Sequence, residues 1–504
     1  MHRCWEVAEL TNFIFRELDP YTKQCSGDPE LRRTNALALY RLATTCRWLS
    51  EFALDVLWRS NDGLVSLFKC LPSQSWVISD GLLKITSPPV PKDWDRFMRY
   101  SSRIKMLLAH DFDITLDISA LECLHAAIPS GSVLPGVHSI SCRTSSMLFT
   151  YLPFMIGPRL LTILISHDGP DFRLSALPSF GFQSRTLKYV SVTSESFGDI
   201  SPLIYDIPNP HLLELQFLHQ RCYNQVATFQ NLRSLFIWNV EEMPFPSPPS
   251  TNAPFPALRD LKLSGTDISF SLNLLSSLKS PLLTVLHIRA SSNSTSIMST
   301  AVLNVIYKKC SVFQLTHLYL YLCEEKEDVA ADPATYTLEF SRVLTPLLAY
   351  RSLRELALST PLGFNLDDTA VDLVARAWPQ IEGLYFAGDF TRNLEDVSYP
   401  TLAALVSIAR HCPSLRNLWL TVDASIAPPL CGTNVPHHAL EVWYPCFSPI
   451  GDPEPVAQFL ASLFPSLSIT DTYLTWEQVG VQLFDMQLTG GRNSLHEFLV
   501  TNAK

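Results

Sequence analysis

A short apolar motif, Leu-x-x-Leu-x-Leu, recurs along most of the length of this chain. Other aliphatic or aromatic residues replace leucine at some positions. From Val137 to Leu283, successive copies begin 20–27 residues apart, and later copies begin 28–38 residues apart. The clear copies begin at Val137, Leu160, Leu187, Leu212, Leu232, Leu258, Leu283, Leu315, Leu353, Ile381 and Leu415, and weaker copies begin at Ile104 and Ala439.

A unit of this length cannot bury its leucines alone, so the copies must stack on one another. Such stacking predicts an α/β leucine-rich-repeat solenoid, with a parallel sheet on the concave side and helices or irregular turns on the convex side. A set of unrelated strands in an α/β enzyme is the alternative. The longer spacings after Leu283 leave room for helices, which we predict at Ala301–Lys309, Leu338–Tyr350, Thr369–Trp378 and Leu402–His411.

Three short amphipathic patterns precede the repeats and predict a small all-α domain over residues 1–60. The first pattern extends from Val7 to Leu18, and the second extends from Leu37 to Cys46 with Leu37 on its apolar face. After a turn at Trp48–Ser50, the third pattern extends from Ala53 to Trp58. Three helices of this size can bury a small shared core.

These sixty residues resemble an F-box, as found in F-box proteins of filamentous and mushroom-forming fungi whose chains continue into leucine-rich repeats. The sequence departs from the family pattern in two places. Val7-Ala8 stands where the family has Leu/Ile-Pro, and Tyr21–Arg33 is a longer insertion than usual. An ordinary three-helix cap is the alternative. The matching segments are Val7-Ala8-Glu9-Leu10, Phe13-Ile14-Phe15, Ala43-Thr44-Thr45-Cys46-Arg47-Trp48 and Leu57-Trp58-Arg59.

The resemblance implies a substrate-recognition adaptor of a Skp/cullin/F-box-type ubiquitin ligase. The F-box would dock on a Skp-type adaptor and through it on the cullin complex, and the repeats would bind a protein substrate. A leucine-rich-repeat scaffold without ligase association is the alternative, which the missing proline makes conceivable. The resemblance places the adaptor-binding residues at Val7, Leu10, Ile14, Phe15, Leu42 and Trp58.

Aromatic residues that alternate with the motif leucines indicate where a substrate would bind. Side chains alternate between the two faces of a strand, so these residues should point away from the leucine core. We predict Tyr385, Trp419 and Trp443 at one equivalent position of successive repeats, as an aromatic stripe. The alternative is that helices or a C-terminal cap cover the stripe. The predicted substrate-binding residues are Phe236, Trp238, Tyr319, Tyr321, Tyr385, Trp419 and Trp443.

Composition and motifs argue against several classes of function. The net charge is −10 without a dense basic run, which argues against a nucleic-acid partner. No window approaches the roughly 18 apolar residues of a membrane span, so we expect no membrane partner. Twelve cysteines include no Cys-x-x-Cys pair, so we expect no zinc site and a cytoplasmic or nuclear location. Without a nucleophile or phosphate-binding motif, we expect no enzymatic activity, no cofactor and no metal.

The same patterns divide the chain into four predicted segments. Residues 1–60 form the F-box-like domain and residues 61–100 form a linker or N-terminal cap. The solenoid follows over residues 101–445, with a Pro-rich loop at Met243–Pro256. Residues 446–504 form a C-terminal cap that closes the exposed end of the leucine core.

Overall fold

The computed structural model groups the chain into two compact units, Met1–Gln225 and Val226–Lys504. Val7, which replaces the leucine or isoleucine of the family pattern, lies outside the described residues. Most of the predicted Pro-rich loop at Met243–Pro256 also lies outside them. The predicted division at residues 60, 100 and 445 stays a prediction. The structure describes residues 8–21, 28–109, 114–128, 132–167, 186–194, 201–216, 218, 220–240, 254–278, 282–322, 338–339, 344–361, 364–388, 399–429, 439–446, 448–469 and 476–487.

The N-terminal unit opens with three helices, α1 (Ala8–Glu17), α2 (Pro29–Thr45) and α3 (Arg47–Leu57). Helix α2 begins earlier than predicted because proline fits the first helical turn and Asp28 caps it. The Asp28 carboxylate accepts hydrogen bonds from the backbone N–H groups of Glu30 and Leu31, both at 3.0 Å. The insertion between the first two helices is therefore shorter than predicted.

Cys46, rather than a turn at Trp48–Ser50, separates the second and third helices. Its backbone is extended, and α3 begins directly after it at Arg47. The predicted apolar face of α2 is wrong at Leu37, which is exposed. At about 100° per residue, Leu37 lies about 200° around the helix from the buried Leu39. The three helices enclose a core of their own, formed by Phe15, Leu39, Leu49, Ala53 and Val56.

The remainder of the N-terminal unit is built on parallel strands. Strands β1, β4, β6, β7, β8 and β9 pair in that order, each parallel to the next. Strands β2 and β3 form a hairpin, and β5 pairs parallel to β3. The strands are β1 (Ser60–Asp62), β2 (Trp76–Ser79), β3 (Leu82–Ile85), β4 (Met106–Ala109), β5 (Thr115–Leu116), β6 (Ser139–Arg143), β7 (Thr162–His167), β8 (Tyr189–Ser194) and β9 (Leu212–Leu215).

Short helices connect these strands, as a repeat of 20–27 residues allows. Helix α6 shows the local reason for one start, since the Asp117 carboxylate accepts a hydrogen bond from the backbone N–H of Ser119 at 3.0 Å. The helices are α4 (Val65–Phe68), α5 (Trp94–Ser101), α6 (Ile118–Ala127), α7 (Met147–Thr150), α8 (Leu152–Met155), α9 (Ser201–Asp206) and α10 (Gln220–Thr228), with 3-10 turns at Ser73–Ser75 and Pro91–Asp93.

The C-terminal unit repeats the same construction with longer connections. Its sheet has the order β10, β11, β12, β13, β15, β17, β18, β19 and β20, again with parallel neighbours, and β14 pairs with β16 in a separate two-stranded sheet. The strands are β10 (Ser234–Val240), β11 (Asp260–Thr266), β12 (Val285–Ala290), β13 (His317–Tyr321), β14 (Leu338–Glu339), β15 (Glu355–Thr360), β16 (Phe364–Asn365), β17 (Gly383–Gly388), β18 (Asn417–Trp419), β19 (Val442–Tyr444) and β20 (Ser468–Ile469).

Three of the four predicted helices after Leu283 are confirmed with shifted ends. The fourth, at Leu338–Tyr350, is wrong: Leu338 pairs in a strand with Phe364, and Thr345–Ala349 is a single 3-10 turn. None of the helices in the described ranges is long and apolar enough to span a bilayer. The helices are α11 (Ile268–Ser277), α12 (Ser296–Lys309), α13 (Asp368–Ala377), α14 (Ala404–His411) and α15 (Pro453–Leu463), and residues 476–487 are also helical.

The register of the strands shows why the chain is a leucine-rich-repeat solenoid. From β11 to β18, the second leucine of each motif pairs with the second leucine of the next, so the motif positions form continuous buried rows. Each repeat thus buries its leucines against its neighbours, which is the property that requires stacking. The α/β solenoid predicted from spacing is confirmed. One row consists of Leu261, Leu286, Leu318, Leu356, Leu384 and Leu418.

Two motif copies are placed wrongly by the sequence pattern. The copy assigned to Leu212 begins two residues earlier, at the buried Pro210, because Val190 pairs with Leu213 rather than with Leu215. The weak copy assigned to Ala439 begins one residue later, at Leu440. In both cases a residue other than leucine occupies a motif position, and a nearby apolar residue makes the sequence match the motif in the wrong register.

Candidate functional site

The sheet of the C-terminal unit has an outer face, which we define as the side opposite the leucine core. Side chains between the second and third motif leucines point to this face, because alternate residues of a strand face opposite sides. Strand pairing brings these residues together in one row, here called the middle row. The middle row consists of Phe236, Lys262, His287, Tyr319, Ala357, Tyr385, Trp419 and Tyr444.

Six of the seven predicted substrate-binding residues lie on the outer face. Phe236, Tyr319, Tyr385 and Trp419 belong to the middle row. The adjacent row, two residues further along each strand, contains the other two. It consists of Trp238, Ser264, Arg289, Tyr321 and Ser359.

Trp443 is the exception, and its predicted place in the aromatic stripe is wrong. It pairs with Leu418 and is 0% exposed, so it occupies a core position. Its indole N–H donates to the carbonyl oxygen of Leu420 at 3.1 Å, and its ring meets Trp476 edge-on at 5.2 Å. Core positions accept tryptophan where the N–H finds a partner, as it does here.

Tyr444 takes the place in the stripe that the sequence pattern gave to Trp443. It pairs with Trp419, and the two rings stack with centroids 5.3 Å apart. Trp419 is still 37% exposed. The outer face therefore presents an aromatic pair at this end of the sheet.

The other end of the middle row is cationic. The Lys262 ammonium lies over the Phe236 ring, 4.7 Å from its centroid. Among the residues that the structure describes, Lys262 and Arg289 have no carboxylate partner. Burial, with smaller contributions from Lys262 and Arg289, lowers the pKa of His287. A search for aromatic residues alone misses these three side chains, although they occupy the same motif positions as Phe236 and Trp238.

Two tyrosines in the centre of the outer face are held in place by their neighbours. Tyr319 donates its phenolic hydrogen to Glu355, and burial together with this carboxylate raises the pKa of Tyr319. Tyr385 lies across Gly383, where an added Cβ would come within 2.8 Å of the tyrosine Cε2. Burial also raises the pKa of Tyr385, so both phenols are neutral at physiological pH.

The three N-terminal helices form a second candidate surface. Phe13 is 64% exposed and Tyr40 is 59% exposed, although both are large apolar side chains on a small helical domain. Exposed apolar groups on such a domain indicate an interface. The predicted adaptor-binding residues include only Ile14 of these side chains, although the segments that match the family pattern also contain Phe13 and Trp48. Six large apolar side chains are exposed on the three helices, and we call five of them the helical patch: Phe13, Ile14, Leu37, Tyr40 and Trp48; the sixth is Leu31.

The predicted adaptor-binding residues divide between surface and core. Ile14 belongs to the helical patch, whereas Phe15 is fully buried and Leu42 packs against the same core. Trp58 stacks on Tyr100 with ring centroids 4.7 Å apart. Val7 and the side chain of Leu10 lie outside the described residues. Phe15 therefore cannot contact a partner without unfolding of the helices.

The described residues include no group of three or more His, Cys, Asp or Glu side chains placed to hold a metal ion. Eight cysteines lie in the described ranges, and none of them forms a disulfide. Burial raises the pKa of both Cys310 and Cys412 to about 12, which keeps these thiols protonated. They behave as small core residues rather than as nucleophiles.

No protein-family model matches the chain, and no curated protein sequence matches it significantly. Among solved structures, it is similar to an internalin of Listeria monocytogenes, with 13% identity and a TM-score of 0.38 over 75% of this chain and 89% of that chain. The structure of the Rad7 and Elc1 complex in yeast gives 14% identity and a TM-score of 0.34, covering 76% and 81%. A leucine-rich-repeat protein of Leptospira interrogans gives 14% and 0.34, covering 70% and 89%. The solenoid assignment rests on the strand ladders and not on these likenesses.

Proposed function

We propose that this chain is a substrate-recognition adaptor of a Skp/cullin/F-box-type ubiquitin ligase. The observation that carries the proposal is the N-terminal three-helix domain, which has its own core and exposes apolar side chains on each helix. Because this segment resembles an F-box, we expect its surface to bind a Skp-type adaptor, which links it to a cullin complex. The chain would act in the cytoplasm or nucleus.

The outer face of the C-terminal unit would hold the protein substrate. Its aromatic end offers rings of the kind that dominate interface hot spots, and its cationic end favours acidic side chains. The chain itself would carry out no bond chemistry. Its contribution would be proximity, because a bound substrate experiences a high effective concentration of the ubiquitin-loaded enzyme.

The missing proline favours a second candidate, a leucine-rich-repeat interaction scaffold without ligase association. Replacing Val7-Ala8 with Leu-Pro restores the family pattern and should tighten binding of a purified Skp-type adaptor. We expect a gain of about tenfold in affinity, measured by isothermal titration calorimetry. Equal affinities for the two forms would show that the proline is irrelevant, and no binding by either form would favour the scaffold.

Substrate binding is tested by removing two rings from the aromatic end. Tyr385→Ala combined with Trp419→Ala should weaken substrate binding at least about a hundredfold, since each hot-spot ring contributes about 2 kcal/mol or more. Quantitative mass spectrometry of cross-linked partners measures the loss. Adaptor binding should be unchanged, which separates this surface from the helical patch.

The matched control is Phe313→Ala combined with Tyr307→Ala. Both residues are exposed in the C-terminal unit but lie outside its sheet, on or just after α12. This control should capture the same partners as the wild type. Equal losses in the two double variants, or retention of all partners by the first, would contradict the proposed substrate surface.

A further inference from the structure

The N-terminal unit contains a cleft of about 550 Å³ between the helical domain and the C-terminal end of α5. Its lining comes from α1, α3, the residue before β1, α5 and the segment between α5 and β4. A volume of this size suits a small ligand. The cleft is lined by Arg16, Glu51, Asp55, Val56, Arg59, Arg99, Ser102, Arg103 and Lys105.

The charge of this lining is unbalanced. Five side chains are cationic and two are carboxylates. Arg103 forms ion pairs with both Glu51 and Asp55, and Arg99 lies 3.3 Å from Glu51. The hydrogen bond from Arg103 lowers the pKa of Glu51, so this carboxylate stays ionised. Both negative charges are therefore already engaged.

Three cations remain without a carboxylate partner among the described residues: Arg16, Arg59 and Lys105. The only hydrogen bond of the Lys105 ammonium in the described chain is a long contact with the carbonyl oxygen of Ser102, at 3.5 Å. Like charges that line one cleft repel each other unless an anion lies between them. This arrangement is unusual in a chain with a net charge of −10.

The kind of cation indicates the kind of anion. Two of the three unpaired cations, Arg16 and Arg59, are arginines, whose planar guanidinium groups bind phosphate oxygens in pairs. Three unpaired charges exceed what a single phosphate group would neutralise. We propose that this cleft binds a small molecule carrying two or more phosphate groups, a role that does not depend on the proposed adaptor function.

Inorganic tripolyphosphate is a suitable probe, titrated into the full chain by isothermal calorimetry in metal-free buffer. We expect one saturable site whose affinity falls as the salt concentration rises, because the cleft is open to solvent. Arg59→Gln combined with Lys105→Gln should weaken binding by about tenfold or more. Asp55→Asn, which removes a competing carboxylate, should strengthen it.

The matched control is Arg351→Gln combined with Arg410→Gln, which removes two exposed arginines from the C-terminal unit. It should bind tripolyphosphate like the wild type. Thermal melts of all variants monitor folding, and Arg16→Gln on α1 provides the same test if the first double variant unfolds.

An absence of saturable tripolyphosphate binding by the wild type at low salt would overturn the proposal. Equal losses of affinity in the cleft variant and its control would also overturn it. Equal binding of citrate would overturn the assignment to phosphate, because carboxylates would then satisfy the cleft as well. None of these outcomes bears on binding of a Skp-type adaptor.

Discussion

Replacing Trp443 with alanine should lower the free energy of unfolding by about 3–5 kcal/mol, whereas replacing Trp419 should cost about 1–2 kcal/mol. The two tryptophans lie in neighbouring strands, but Trp443 is 0% exposed and Trp419 is 37% exposed. Alanine at position 443 leaves a large cavity beside Trp476 and leaves the carbonyl oxygen of Leu420 without its indole donor. Alanine at position 419 removes a ring that water already reaches.

Chemical denaturation monitored by circular dichroism measures both costs. Leu418→Ala is the internal reference, because Leu418 pairs with Trp443 in the buried row, and it should cost about 2–5 kcal/mol. A small loss for Trp443→Ala together with a large one for Trp419→Ala would reverse the two faces of the sheet. It would restore the sequence-based register in which Trp443 faces outward.

Most of the solenoid is predictable from sequence because the motif repeats and its period agree. Leu356 and Leu384 show this best, since spacing alone places both in the buried row. The errors arise where a motif position is not leucine. At Pro210 and Trp443, the correct residue resembles the motif less than a nearby apolar residue does, and only strand pairing decides between them.

The candidate surfaces are less predictable than the fold. The family pattern names Ile14 and Phe15 as neighbours in sequence, but helix geometry exposes one and buries the other. On the outer face, aromatic residues are easy to find in the sequence, whereas Lys262 and Arg289 look like ordinary surface charges. Only the strand register shows that Lys262 and Arg289 lie beside aromatic rings on the outer face.

The Leu338–Tyr350 error has a different origin. The segment has helical periodicity, but Leu338 gains a strand partner in Phe364, which is distant in sequence. Such a tertiary interaction overrides local propensity, because propensity differences between ordinary residues amount to less than about 1 kcal/mol each. No local sequence pattern predicts the pairing of Leu338 with Phe364.

The proposed binding of the N-terminal helices to a Skp-type adaptor predicts that the affinity for this purified adaptor depends on the helical patch. Phe13→Ala combined with Tyr40→Ala removes its two most exposed side chains without touching the core of Phe15 and Leu39. If each ring contributes about 2 kcal/mol, the double variant should bind at least about a hundredfold more weakly. The melting temperature should stay within a few degrees.

Isothermal titration of the adaptor into the wild type, this variant and the Phe313→Ala, Tyr307→Ala control gives the answer. The control removes equally exposed rings, at 81% and 50% exposure, from the C-terminal unit. The predicted result is a one-to-one complex for the wild type and the control, and a loss of at least about a hundredfold for the patch variant. Undiminished binding by the patch variant, or no binding by the wild type, would contradict the claim.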